Sequence, residues 1–94
     1  MKNLTKGGKC LDVGGGSGYI TACLSEALGA KGRVVAVDSN EEVLGFARRN
    51  ICKNHSNLIE NNRISFITAD PRKIKLTEKF DVIHFGQAIF RNPA

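Results

Sequence analysis

Short apolar runs alternate along this chain with stretches whose apolar residues recur at helical spacing, the pattern of an α/β sheet. Residues 10–13 (CLDV), stopped by Gly14-Gly15-Gly16, predict a first strand, β1. Ile20, Cys23, Leu24, Ala27 and Leu28 then fall at i, i+3, i+4, i+7 and i+8, which predicts one buried stripe of a helix, α1, with Gly29 as its C′ residue. Arg33–Asp38 is apolar on both faces from Val34 to Val37, as in a buried parallel strand, β2. Ser39-Asn40-Glu41-Glu42 fits a capping box with Ser39 as N-cap and Glu42 at N3. The helix it starts, α2, presents Val43, Ala47 and Ile51 on one face, with Leu44 and Phe46 beside them. The polar run 53–62 predicts a loop, and residues 63–69 (RISFITA) and 80–85 (FDVIHF) predict strands β3 and β4. Between those two strands, residues 71–79 are too few and too mixed to predict a helix.

The predicted order is therefore β1-α1-β2-α2-β3-β4. Right-handed crossovers place the first three strands in the spatial order 3-2-1, with β4 on the free side of β1, giving 3-2-1-4. In a doubly wound, Rossmann-like sheet of this kind, ligands bind outside the carboxyl ends of the strands, where the strand order reverses. Residues 14–18, Asp38 and Asp70 all fall at that rim.

Length and composition narrow the picture without redirecting it. The 94 residues make one domain at most. The longest β-branched run, residues 34–37, is far short of the ~20 apolar residues that span a bilayer. Lys2, Lys6 and Lys9 interrupt the N-terminus, so it has no signal-peptide pattern, and the cytoplasm is the expected compartment. The net charge of +5 comes from basic residues scattered among nine acids, with only Arg72, Lys73 and Lys75 clustered; a solvated face is expected, with no nucleic-acid or membrane partner. Cys10, Cys23 and Cys52 suit neither a zinc knuckle nor a CxxC pair, which predicts three buried, reduced thiols and no metal site.

Asp12-Val13-Gly14-Gly15-Gly16-Ser17-Gly18 carries the chemistry: D-x-G-x-G-x-G, leaving a strand and entering a helix. Glycines permit positive φ and let a ligand approach the backbone. A dinucleotide fold wants G-x-G-x-x-G with pyrophosphate on the helix end. The third glycine of that pattern would fall at Tyr19 or Thr21, so the spacing fails. A carboxylate at position 12 suits a cationic amino group better than a phosphate, and the spacing favours S-adenosylmethionine. Asp38, ending β2, is placed to accept hydrogen bonds from ribose hydroxyls, a feature shared with NAD sites. Asp70, ending β3, is placed for an adenine amino group. The competing reading of Asp12 and Asp70 is a plain turn or cap residue at a strand end. His84 reads as a packed strand residue or a proton shuttle, and Tyr19 as a ligand cover or a packing residue.

With these residues in place the chain resembles class I S-adenosylmethionine-dependent methyltransferases, and more narrowly the protein-L-isoaspartate (D-aspartate) O-methyltransferase family. LDVGGGSGYITA (residues 11–22) is similar to that family's glycine motif, VVAVDSNEEVL (34–44) to its second strand and acidic cap, and FDVIHFGQA (80–88) to its fourth strand. The likeness spans residues 9–88 and implies a single, partial S-adenosylmethionine-binding methyltransferase domain over residues 1–94. It implies cofactor contacts at Asp12, Gly14, Gly15, Gly16 and Gly18, ribose contacts at Asp38 with Ser39, and an adenine contact at Asp70 with Pro71. Pro71 stands where the family has glycine, which takes a backbone donor from that turn.

The implied reaction is methyl transfer to the carboxylate of L-isoaspartyl (D-aspartyl) residues in damaged proteins, followed by collapse of the ester to a succinimide. A carboxylate with a reference pKa of ~3.5 is already ionised at neutral pH, so alignment matters more than a strong base. The family's serine-containing segment before the glycine motif and its later strands have no counterpart here. No catalytic residue is assigned, and the chain is expected to be a fragment, isoform product or incomplete gene model without measurable methyl transfer. A bare β4 edge and an uncovered sheet face are then expected as sites of association. The competing readings are an NAD(P)-binding module, a methyltransferase with a nucleic-acid or small-molecule acceptor, and a non-catalytic binding module. The lack of an Asn/Asp-Pro-Pro-aromatic motif after β4 speaks against nucleic acid.

Overall fold

The computed structural model describes residues 7–14, 16–73, 80–85 and 88–91. The element order is β1 (Lys9–Val13), α1 (Tyr19–Leu28), β2 (Arg33–Asp38), α2 (Glu41–Glu60), β3 (Ile64–Thr68), a one-turn 3₁₀ helix (Pro71–Lys73), β4 (Val82–Phe85) and β5 (Ala88–Arg91). The sheet order is β3-β2-β1-β4-β5, parallel through the first four and antiparallel between β4 and β5. The order 3-2-1-4 expected from right-handed crossovers is thus present.

Alternation across the strands sorts the core into two faces. Cys10, Val34, Ile64 and Val82 pack with Ala22, Leu24, Leu28, Ile51 and Leu58 beneath the two helices. Leu11, Val13, Val35, Val37 and Phe80 form a second cluster, with Ala69 and Ile83 against it. Both faces of β2 are therefore buried, which explains its unbroken apolar run.

Several sequence expectations need correction. The polar run after Lys53 is helical, since α2 continues to Glu60 with a single non-helical residue at His55 (φ −141°, ψ 40°). Leu44, Ala47, Ile51 and Leu58 are its buried positions, and this one stripe outweighs the weak propensity of the polar residues between them. The cap of α2 is Asn40 rather than Ser39: the Asn40 side chain accepts from Glu42 N at 2.9 Å, while Asn40 N donates to Asp38 Oδ1 at 2.8 Å. The face that α1 buries is turned from the expected stripe, with Thr21, Ala22, Leu24, Ser25 and Leu28 inside and Ile20 and Cys23 outside. A carboxylate partner lets Thr21 point inward, whereas Ser25 is small enough to be buried with its carbonyl, not its hydroxyl, bonded by the Arg63 guanidinium.

The fourth correction concerns the sheet's border. β4 is not an edge, because β5 pairs with it from Phe85↔Ala88 to Val82↔Arg91. Two residues of the sequence, 86 and 87, separate the paired Phe85 and Ala88 and lie outside the described residues. Association through a bare β4 edge loses its premise. The second face is not stripped of cover either, since its five central apolar residues are buried; Ile67 and Phe85 are the exposed large apolar residues on that side. Lys75, Gly15 and the remainder of the 71–79 stretch from residue 74 on lie outside the described residues. Among the described residues no helix is long and apolar enough to cross a membrane.

Cysteine burial is also uneven: Cys10 is buried, whereas Cys23 and Cys52 are exposed. Burial first, and the charge of Asp12 second, push the Cys10 thiol up to about 12. Iodoacetamide at pH 8 is therefore expected to alkylate two thiols in the folded chain and the third only after denaturation, read by mass spectrometry. Because the folded pKa lies above the ordinary value of 9.0, the thiol favours folding fully below about pH 9 and ceases to as pH rises toward 12.

Candidate functional site

The carboxyl ends of β1 to β4 form one rim, and the chain leaves β1 toward β2 and β3 on one side before returning to β4 on the other. At this reversal the glycine segment crosses from β1 to α1. Gly14, Gly16 and Gly18 have φ of 68°, 59° and 88°, values that L side chains rarely adopt. Their roles divide. Among the described residues, a Cβ at Gly14 or Gly16 would meet nothing within 4 Å, which leaves space over the turn. A Cβ at Gly18 would lie 2.8 Å from the Ala47 carbonyl oxygen, so this glycine allows α1 to start against α2.

The turn is anchored on both sides. Gly14 N donates to Val37 O at 3.0 Å, and Asn50 Nδ2 donates to Ser17 O at 3.0 Å. No side chain caps α1, which leaves its first amides for a ligand at the rim. Asp38 ends β2 partly buried, one of its oxygens oriented by Asn40 N, with exposed Ser39 beside it. Ala69 N donates to Asp38 O at 3.0 Å, which brings Asp70 and Pro71 to the same rim.

Two of the expected contact residues have other commitments. Asp12 is 0% exposed, and its carboxylate accepts from Thr21 Oγ1 at 2.5 Å and is bonded to His84 Nδ1 at 2.8 Å. Both of its carboxylate oxygens are thus engaged by side chains beneath the turn. Asp70 is held by its neighbour: Arg72 N, Nε and Nη2 reach its two oxygens at 2.9, 3.1 and 3.0 Å. Those bonds hold its carboxyl below the usual carboxylate range. An adenine amino group would compete with Arg72 there, and Pro71 at the head of the 3₁₀ turn offers no N–H.

Tyr19, 78% exposed, does not pack. His84 is the packed strand residue, bonded to Asp12 rather than free to shuttle a proton. Thr21 and Asn50 are the site residues that sequence reasoning passes over. For Thr21 a signal existed, since a hydroxyl in the first turn of α1 lies above the end of β1.

A parallel sheet of order 3-2-1-4 with a glycine turn leaving β1 defines the Rossmann-like fold class, which methyltransferases share with dinucleotide-binding proteins. The S-adenosylmethionine-dependent O-methyltransferase from Thermotoga maritima superposes with a TM-score of 0.73 at 30% identity, over 86% of this chain and 29% of its own. The family model of protein-L-isoaspartate(D-aspartate) O-methyltransferase (PCMT) matches residues 1–94, and the chain belongs to that family. The protein-L-isoaspartate O-methyltransferase of Caenorhabditis elegans is 36% identical over 90 residues, 94% of this chain and 40% of the relative. A probable protein-L-isoaspartate O-methyltransferase of Dictyostelium discoideum is 39% identical over 82 residues, 87% of this chain and 25% of the relative. The chain thus spans well under half the length of these relatives.

Proposed function

We propose that this chain is the cofactor-binding part of an enzyme that methylates the carboxylate of L-isoaspartyl (D-aspartyl) residues in damaged proteins, with S-adenosylmethionine as methyl donor. The observation that carries the reading is the turn at Gly14 and Gly16, positive in φ and open above, set over a buried carboxylate and beside Asp38. Family membership along the whole chain supports the acceptor.

The residues present fit this cofactor. Gly14 and Gly16 leave a cradle that any Cβ would narrow, and the uncapped amides of α1 border it. Asp38 offers a carboxylate for the ribose hydroxyls, with Ser39 at its side. The Asp12 charge below the turn favours a cationic ligand over a diphosphate. S-adenosylmethionine supplies a methyl group on positively charged sulfur. The acceptor carboxylate is ionised at neutral pH, so the rim's task is to hold donor and acceptor aligned while keeping the turn rigid.

The protein containing this segment, in the longest form expressed, is to be given tritiated S-adenosylmethionine and two peptides that differ at one isoaspartyl linkage. Base-labile label in the isoaspartyl peptide, and only background in its normal aspartyl twin, is the expected result. Equal labelling of the two contradicts the acceptor.

A further inference from the structure

Under α1 and α2 the sheet is layered. The lower layer, Cys10 with Val34, Ile64 and Val82, is apolar. Two residues nearer the glycine turn, the same face carries Asp12 flanked by Ala36 on β2 and His84 on β4. A carboxylate without solvent exposure needs donors. Those described are Oγ1–H of Thr21 at 2.5 Å and Nδ1 of His84 at 2.8 Å. An ionised carboxylate only accepts, so Nδ1 carries the hydrogen and the ring tautomer is set. His84 is itself 5% exposed, and the small Ala36 leaves the opposite flank of Asp12 without a competing bulk.

We infer that His84 is a positioning residue for the methyl donor: by donating to Asp12 it fixes, with Thr21, a buried negative charge and both flanks of the glycine turn before the ligand arrives. The three side chains come from β4, β1 and α1, and the last two bracket the turn directly. Replacing a buried ionic network by apolar residues is often neutral or stabilising, so stability alone gives no reason for a polar layer between an apolar core and the turn. Function at the turn gives one. Helix-start amides attract anions, and a fixed carboxylate beneath them shifts the preference toward cationic sulfur and ammonium. The inference rests on the S-adenosylmethionine reading proposed above.

The whole chain is to be compared with H84N, H84Q and H84L by hydrogen exchange without ligand and by calorimetric titration with S-adenosylhomocysteine. Asparagine puts its amide near the Nδ1 position, whereas glutamine reaches toward Nε2. Exchange at Gly14 and residues 16–22, and the Kd, are expected to stay within about threefold of wild type in H84N and to rise about tenfold or more in H84Q and H84L. Wild-type exchange and affinity in H84L overturn the inference, whatever happens to Tm. Equal losses in all three variants overturn it too, reducing His84 to a structural residue. If wild type binds no S-adenosylhomocysteine while the exchange ranking holds, the cofactor reading fails and the positioning of the turn stands. Should H84Q and H84L not fold, nitrogen NMR of His84 in wild type decides: Nδ1–H is expected, and an Nε2–H tautomer overturns the inference.

Discussion

Gly18→Val is expected to lower the unfolding free energy by about 3 kcal/mol and Tm by roughly 12–24 °C. Two costs combine. A side chain at φ 88° costs about 1–2 kcal/mol in left-handed backbone. The added Cβ would stand 2.8 Å from the Ala47 carbonyl oxygen and 3.1 Å from its Cα and Cβ, atoms fixed by the α2 backbone that cannot rotate aside. Overpacking of this kind costs about 1–3 kcal/mol. Gly16→Ala pays only the backbone cost, since its Cβ meets nothing within 4 Å, and should lose about 1 kcal/mol while narrowing the ligand's approach. Urea titration of the two variants reads the difference. A Gly18→Val chain as stable as Gly16→Ala would contradict the close meeting of α1 and α2.

The second large effect is on binding. Asp38→Ala is expected to weaken S-adenosylhomocysteine binding about 100-fold, because hydrogen bonds to a charged acceptor contribute about 1.5–3 kcal/mol and the proposed site has Asp38 accept from the ribose hydroxyls. Part of that loss comes through the fold, since Asp38 Oδ1 also holds Asn40 N at the cap of α2. Asp38→Asn separates the contributions: its amide oxygen keeps the turn, and binding should weaken only about 10-fold. Isothermal titration of both variants checks this. Unchanged affinity in Asp38→Ala would remove Asp38 from the site.

Much of this was legible in the residues themselves. The unbroken apolar run of β2 and the glycines leaving β1 announced a parallel sheet with a glycine turn at the reversal, and Gly29 ended α1 where the pattern placed it. The end of α2 was not legible locally, because Leu58 becomes a helix position only through its burial against the sheet. The turned face of α1 was hidden for the same reason: Thr21 is inside because Asp12 meets it there. β5 was missed because four residues carry too little periodicity to declare a strand.

Asp12 is the instructive case. The spacing pointed correctly to the turn, but a carboxylate's direction depends on which neighbours can donate to it. His84 lies 72 residues away in sequence and becomes adjacent only through the β1–β4 register. Burial and these two bonds place the Asp12 charge beneath the turn rather than on its open side.

The central claim is that this turn receives an adenosyl ligand bearing a cationic amino-acid group and not a dinucleotide. Calorimetric titration of the chain with S-adenosylhomocysteine and, separately, NAD tests it most directly. One-to-one binding of S-adenosylhomocysteine that Asp38→Ala weakens, with no heat from NAD, is the result this account predicts. Saturable NAD binding that S-adenosylhomocysteine fails to displace would contradict it.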